Sequence, residues 1–294
     1  MIDAALPLLI CPHCGGSLEQ QAVGQVGCRR GHSFDLARHG YLPLLGPRSR
    51  TDTGDDAAMV AARAEFLAGG HYRPIADTVA ARCRGTVLEI GAGTGYYLAA
   101  ADPELGIALD SSRYAARRAA RAHPAVVSVL ADAWAPLPVT TAAIDTVLVI
   151  FAPRDPDEIG RVLRPGGRAL VVTPQPAHLA EIRGPLGMLD IDDGKAAAVQ
   201  QRWQPQFVTV DEVSVTAQLQ LTAADLRALV AMGPTARHRS PEQIAASIRE
   251  LPEVGRPATD PAGPDSYPAT MAVTVTELRR EQGSGPRVAH RTTG

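Results

Sequence analysis

From Thr86 onward the hydrophobic positions bunch into short, β-branched runs: TVLEIG (86–91), GIALD (106–110), VVSVL (126–130), DTVLVIF (145–151) and RALVVT (168–173). Their starts lie roughly 16–24 residues apart, and helical stretches such as SSRYAARRAARAH (111–123) and PDEIGRVLRPGG (156–167) fill the gaps. Continuous apolar strands alternating with helices predict a parallel sheet covered on both faces. Ser111 or Ser112 is the expected cap of the first of those helices, and Pro124 marks its end. Upstream, the Ala-rich stretch 57–84 has helical spacing, cut by Gly69, Gly70 and Pro74 into two helices. Downstream, FVTVDEVSVTAQLQ (207–220) alternates and predicts a long twisted strand, and TMAVTVTEL (270–278) the final one. Between them, LTAADLRALVAMG (221–233) and SPEQIAASIRELP (240–252) predict helices capped by Thr222 and Ser240.

The first 45 residues have no such period. They are turn-rich, and GPRSRTDTGDDA (46–57) after them reads as a polar linker. The expected organisation is therefore an N-terminal module (1–45), linker and helices (46–84), a main α/β domain (85–280) and a frayed tail (281–294). At 294 residues and 45% hydrophobic content, the chain can bury sizeable cores. A net charge of −2 excludes bulk, non-specific coating of nucleic acid. Basic charge is almost wholly arginine, Lys195 being the single lysine. No run approaches the ~20 apolar residues of a membrane span, and the N-terminal apolar run lacks a basic flank, so no export signal is read. A cytoplasmic, reduced setting is expected, with no membrane partner.

Three of the four cysteines fall in the first 28 residues. Cys11, Cys14, Cys28 and His32 are spaced C-x2-C-x13-C-x3-H, two short pairs across a loop. Thiolates and imidazole are the ligands tetrahedral zinc prefers, and a closed set of four leaves no position for a reacting water. The expected ion is structural, stabilising a segment too small to hold a core alone. His13 sits out of ligand register, and Cys83 reads as a small buried hydrophobe.

The second signal is VLEIGAGTGYY (87–97), a strand followed by Gly91, Gly93 and Gly95 at every second residue and then a helix. Glycines let the turn fold tightly and a ligand approach the backbone. The spacing differs from the dinucleotide fingerprint, and NAD binding stays as the competing reading. It resembles the first motif of class I S-adenosylmethionine-dependent methyltransferases. Glu89 suits a cationic amino-acid moiety. Asp110, ending the second strand, suits ribose hydroxyls, and Asp132, just after the third, suits the adenine amino group. All three fall at carboxyl ends of parallel strands, where open α/β sheets bind ligands.

Together with CPHCGGSL (11–18), CRRGHSFDLARHGYLPLL (28–45), FLAGGHYRPI (66–75), FAPRDPDEIGRVLRPGG (151–167), VVTPQPAHLAEI (171–182) and VAMGP (230–234), these motifs resemble one family. It is that of the bacterial 23S ribosomal RNA guanine-N1-methyltransferases, RlmA type, and the actinobacterial tylosin-resistance subgroup in particular. The resemblance spans most of residues 10–280. It implies a Rossmann-like methyltransferase domain with a seven-stranded mixed sheet, and a zinc module that helps grip RNA. It also implies methylation of N1 of a guanine in hairpin 35 and a contribution to macrolide resistance. By the same match, Tyr72, Gly93, Thr94 and His178 contact S-adenosylmethionine, beside Gly91 and Gly95 of the same turn. A homodimer would suit a family that clamps RNA in a cleft.

Guanine N1 is protonated and a poor nucleophile, so a base or a stabiliser of O6 charge is expected. Asp155 as base and Arg154 on O6 are the candidates, with capping of the helix near Pro156 as their alternative role. RNA contact is expected from Arg29, Arg30, Arg38, Arg48 and Arg50, a local +2 against Asp3, Glu19 and Asp35. His39 and Tyr41 either stack on a base or pack the module onto the linker. Two other functions compete: a small-molecule methyltransferase with a zinc clip, and a non-catalytic RNA-binding protein. The zinc module argues against the first, and the intact glycine motif with its acids against the second.

Overall fold

A computed structural model describes residues 2–47, 49–50, 54–152, 155–191, 203, 206–251 and 266–280. After a short helix α1 (Ile2–Ala5), three small strands β1 (Leu18–Ala22), β2 (Gln25–Cys28) and β3 (Ser33–Asp35) pair antiparallel in the order β1-β2-β3. Strand β4 (Tyr41–Pro43) leaves this ribbon and joins the main sheet.

Helices α2 (Ala57–Ala68) and α3 (Arg73–Ala80) follow, broken where Gly69, Gly70 and Pro74 predict. The α/β alternation is then β5 (Thr86–Ile90), α4 (Tyr96–Ala100), β6 (Leu105–Asp110), α5 (Arg113–Ala119), β7 (Val126–Leu130), β8 (Ile144–Ile150), α6 (Pro156–Val162) and β9 (Leu163–Pro174). After α7 (Ala180–Arg183) come β10 (Phe207–Thr222), α8 (Ala223–Ala231), α9 (Pro241–Arg249) and β11 (Ser266–Arg280). Ser112 caps α5 by accepting from the N–H groups of Tyr114 and Ala115. Thr222 and Ser240 cap α8 and α9, each with a reciprocal bond from the residue three places on. The helix predicted over 156–167 is shorter: it stops at Val162, and LRPGG already belongs to β9.

The main sheet runs β10-β11-β9-β8-β5-β6-β7-β4. The central strands are parallel, while β11 runs antiparallel between β9 and β10. That is the class I methyltransferase topology, with one correction to the expected seven strands. Tyr41–Pro43 pairs parallel with Ser128–Leu130 and makes an eighth, covering the free edge of β7.

This strand also joins the two predicted modules. Leu42 and Leu44, with Leu9, Leu18, Val26 and Phe34 of the ribbon, share one buried cluster with Leu109, Val129 and Val149 of the sheet. The described residues of the linker are bonded to the main domain. Ser112 Oγ donates to the carbonyl of Asp55, the N–H of Arg50 donates to Asp132 at 2.7 Å, and Asp56 caps α2.

Candidate active site and zinc centre

The ribbon brings Cys11, Cys14, Cys28 and His32 together, their ligating atoms all within 4.8 Å of one another. Each pair sits on a tight turn. The N–H of Gly15 donates to Cys11 O and that of Gly31 to Cys28 O, and both glycines have left-handed φ, +69° and +84°. Nδ1 of His32 lies 3.5 Å from Cys11 Sγ and 3.3 Å from Cys28 Sγ, and the Sγ atoms of Cys14 and Cys28 are 3.6 Å apart. Zinc bonds of about 2.0–2.3 Å set tetrahedral edges of about 3.6–3.8 Å, so three sulfurs and one nitrogen at these separations fit the ion. His13 stacks on the His32 ring with centroids 4.9 Å apart, and so steadies a ligand without being one.

The glycine turn leaves β5 with Gly91, Gly93 and Gly95 all in left-handed conformation, at φ +67°, +55° and +77°. A side chain at Gly91 would meet Ala152 Cβ at 2.7 Å. Two chambers open beside the turn, of about 40 and 170 Å³, sharing Arg63, Gly91, Gly93, Ile150 and Phe151 as walls. The smaller is completed by Tyr72, Glu89 and Thr94, the larger by Asp110, Asp132 and Trp134. The predicted acids thus converge on one cleft at the carboxyl edge of β5, β6 and β7.

Each acid is held in place. Glu89 is 1% exposed and accepts from the N–H of Leu98; burial pushes its carboxyl up to about 8. Asp110 accepts from Gly93 N and Ser112 N, both at 2.8 Å. Burial raises its pKa, against the pull of those two N–H groups. Asp132 accepts from Arg50 N and from Trp134 N. Each carboxylate oxygen has two lone pairs, so Asp110 and Asp132 keep room for further donors.

Tyr72, of the smaller chamber, meets His178 behind it. The N–H of Ala272 donates to His178 Nδ1 at 3.2 Å. Burial, aided by the Arg183 charge, pushes the imidazole down to about 4, so the ring is neutral. Nδ1 therefore carries the lone pair and Nε2 the proton, which faces Tyr72 Oη at 3.1 Å. That leaves the Tyr72 hydroxyl proton free for the chamber. His71, the neighbour in GHY, turns the other way and pairs with Asp225 at 3.1 Å.

Three residues at the cleft carry more than their sequence context suggested. Arg63 reaches in from α2, donating to Asp55 at 2.7 Å and to Met232 O at 2.8 Å, while its Nε is buried with no partner among the described residues. Its signal was legible, since an arginine at 63 shares the helical face of buried Met59, Phe66 and Leu67. Phe151, at φ +52°, and Trp134 stand 42% and 65% exposed at the mouth. Phe151 lies 6.0 Å from Tyr72 and 5.9 Å from His178, ring to ring. No periodicity marks such residues, because they follow strand ends. Of the catalytic candidates, Arg154 lies outside the described residues. Asp155 is the N-cap of α6, its Oδ1 accepting from Asp157 N at 3.0 Å. Among the RNA candidates Arg29 pairs with Glu19, and Arg48 lies outside the described residues.

Comparison with known proteins places this cleft and ribbon together. The family model for the RlmA N-terminal zinc ribbon matches residues 9–49. A 23S rRNA (guanine(748)-N(1))-methyltransferase of Streptomyces fradiae is 40% identical over 92% of this chain and 96% of its own length. A protein of Micromonospora griseorubida assigned as a 23S rRNA (guanine-N(1)-)-methyltransferase is also 40% identical, over 84% and 93%. Among solved structures, the [4+2]-cyclase SpnF superposes with a TM-score of 0.50 over 80% of this chain and 97% of its own, at 17% identity, a likeness of fold alone. At 40% identity over 92% of this chain and 96% of the Streptomyces relative, the chain belongs to the family of 23S rRNA (guanine-N1)-methyltransferases.

Proposed function

We propose that this protein transfers a methyl group from S-adenosylmethionine to N1 of a guanine in hairpin 35 of 23S rRNA, the Streptomyces relative being named for guanine 748. The observation that carries the reading is a pair of adjoining chambers that share the glycine turn, one lined by Glu89 and by Tyr72 with His178 behind it, the other by Asp110 and Asp132, in a chain sharing a zinc ribbon and 40% identity with rRNA-modifying relatives. A small-molecule methyltransferase would not need the ribbon.

The bound cofactor supplies an electrophilic methyl on a sulfonium. The chain supplies binding and alignment, and an in-line displacement needs little more. In this reading Glu89 takes the cofactor's ammonium, giving up its proton as it does so. Arg63 and the free Tyr72 hydroxyl take its carboxylate, with His178 orienting Tyr72. Asp110 accepts from the ribose hydroxyls and Asp132 from the adenine amino group. Phe151 and Trp134 hold a guanine lifted from its stack. Asp155 is committed to capping α6, so the N1 proton leaves to water. Action on ribosomal RNA puts the protein in the cytoplasm. No helix among the described residues is long and apolar enough to cross a membrane. A homodimer clamping the RNA, and resistance to mycinosylated macrolides as the outcome, belong to the same reading.

The test is transfer from labelled S-adenosylmethionine to 23S rRNA lacking its native methylation, followed by primer extension. A single stop in hairpin 35 is expected. Cofactor binding without transfer to RNA would overturn the reading.

A further inference from the structure

A groove of about 640 Å³ lies outside the two chambers beside the glycine turn. It lies between α2 and α5, with one wall of small side chains (Ala57, Ala61, Ala64 and Ala68) and the other of Arg117, Arg118 and Arg121, and it runs to Thr94 of the glycine turn. On α5 the inward face is alanine, Ala115, Ala116 and Ala119 all buried, while Arg113, Tyr114, Arg117 and Arg118 are exposed. The ribbon extends this stripe. A Cβ at Gly40 would sit 3.6 Å from that of Ala120, and the pKa of His39 is lowered by desolvation first and then by the charges of Arg117, Arg38 and Arg121.

Elsewhere Arg73 pairs with Asp77, Arg82 with Asp211 and Arg164 with Asp145, while Arg84 and Arg249 donate to backbone carbonyls of their own segments. Among the described residues no carboxylate pairs with Arg38, Arg113, Arg117, Arg118 or Arg121. Helix stabilisation accounts for Arg117 and Arg118 in the last turn, but not for Arg113 at the first position, where the helix dipole disfavours a cation. Arg113 instead lies over the Tyr114 ring, 4.8 Å from its centroid, next to Ser112 and the cofactor cleft.

We infer that this stripe, from Arg38 and His39 along α5 to Arg113 and Tyr114, is a docking surface for the phosphate backbone of the RNA substrate. The inference rests on the RNA reading above. Residues 113–121 span about 12 Å of helical rise, a length over which one strand of a duplex carries about three to four phosphates. The alanine wall leaves the groove open to the strand, and exposed Tyr114 offers a ring for a flanking unpaired base. Sequence reading placed RNA contact on the ribbon and the linker after it; the fold sets beside Arg38 a further run of cations with no carboxylate partner among the described residues.

The experiment compares the wild type with the triple variant Arg117→Ala, Arg118→Ala, Arg121→Ala, which puts strong helix formers on an exposed face. Binding of a hairpin 35 RNA is measured from 50 to 300 mM salt, with steady-state kinetics and S-adenosylhomocysteine affinity alongside. The log–log salt slope is expected to flatten by about 2–3, with KM for RNA raised at least about tenfold, kcat within about twofold and cofactor affinity unchanged. Tyr114→Ala, which removes no charge, is expected to raise KM and leave the slope alone. An unaltered slope and KM in the triple variant, with the wild type active on RNA, would overturn the surface while leaving the function standing. A wild type that methylates no RNA would instead overturn the function on which the surface rests.

Discussion

Arg63 shows how one side chain is set by two demands. It is ion-paired to Asp55 and bonded to the Met232 carbonyl, yet its Nε is buried without a partner among the described residues, a costly state for a guanidinium unless a ligand completes it. Arg63→Met and Tyr72→Phe should each weaken S-adenosylhomocysteine about tenfold or more, while leaving 5′-methylthioadenosine, which lacks the carboxylate, within about twofold. Isothermal titration with both ligands distinguishes this from general damage to the cleft. Glu89 makes a pH statement. Burial raises its folded pKa to about 8 from an ordinary 4.5, so the folded chain holds a proton that the unfolded chain releases. Stability should therefore be greatest below about pH 4.5 as far as this group is concerned, fall as pH rises toward about 8, and level off above. Urea unfolding from pH 5 to 9 should show that slope, and Glu89→Gln should remove it. Cys83, raised to about 12 mainly by burial, should resist alkylation in the folded protein.

Among the elements, α6 decides the role of Asp155. Its carboxylate accepts from Asp157 N at the start of a helix whose first residue is Pro156. Asn caps about as well as Asp, whereas Ala costs about 1 kcal/mol. Asp155→Asn is thus expected to keep both stability and methyl transfer within about threefold, and Asp155→Ala to lower the melting temperature. A loss of more than a hundredfold in Asp155→Asn, with the fold intact, would make the residue a base. The same logic explains why PDEIGRVLRPGG reads as helix throughout but is not. Ile159 and Val162 keep helical spacing, but Leu163 is already extended, and the segment from Arg168 pairs with both β8 and β11. Strand pairing with partners distant in sequence outweighs the local pattern.

For the whole molecule, the ribbon and the catalytic sheet are one packed body, since Leu42 and Leu44 are buried in the same cluster as β6, β7 and β8. Zinc should therefore stabilise more than its own loop. Removal by a chelator is expected to expose residues 9–49 to limited proteolysis and to lower the melting temperature of the entire chain, with zinc re-addition restoring both. Two separate transitions, the second unmoved by chelation, would show instead that the ribbon folds apart from the sheet.

The local pattern alone determined the α/β alternation, the caps at Thr222 and Ser240, and the four zinc ligands, and narrowed the α5 cap to Ser111 or Ser112. Each depends on neighbours within a turn or two, and their spacing is written in the chain. It also placed Glu89, Asp110 and Asp132, because parallel strands bring their carboxyl ends to one edge wherever they occur. Tertiary structure decided the rest. It made Tyr41–Pro43 an eighth strand, set the N–H of Arg50 against Asp132, and set His178 against Tyr72 from 106 residues away. It turned Arg63 inward and gathered the unpaired arginines of α5 beside the ribbon. These are pairings between segments far apart in sequence, where burial and hydrogen-bond satisfaction select the partner and no local period records the choice.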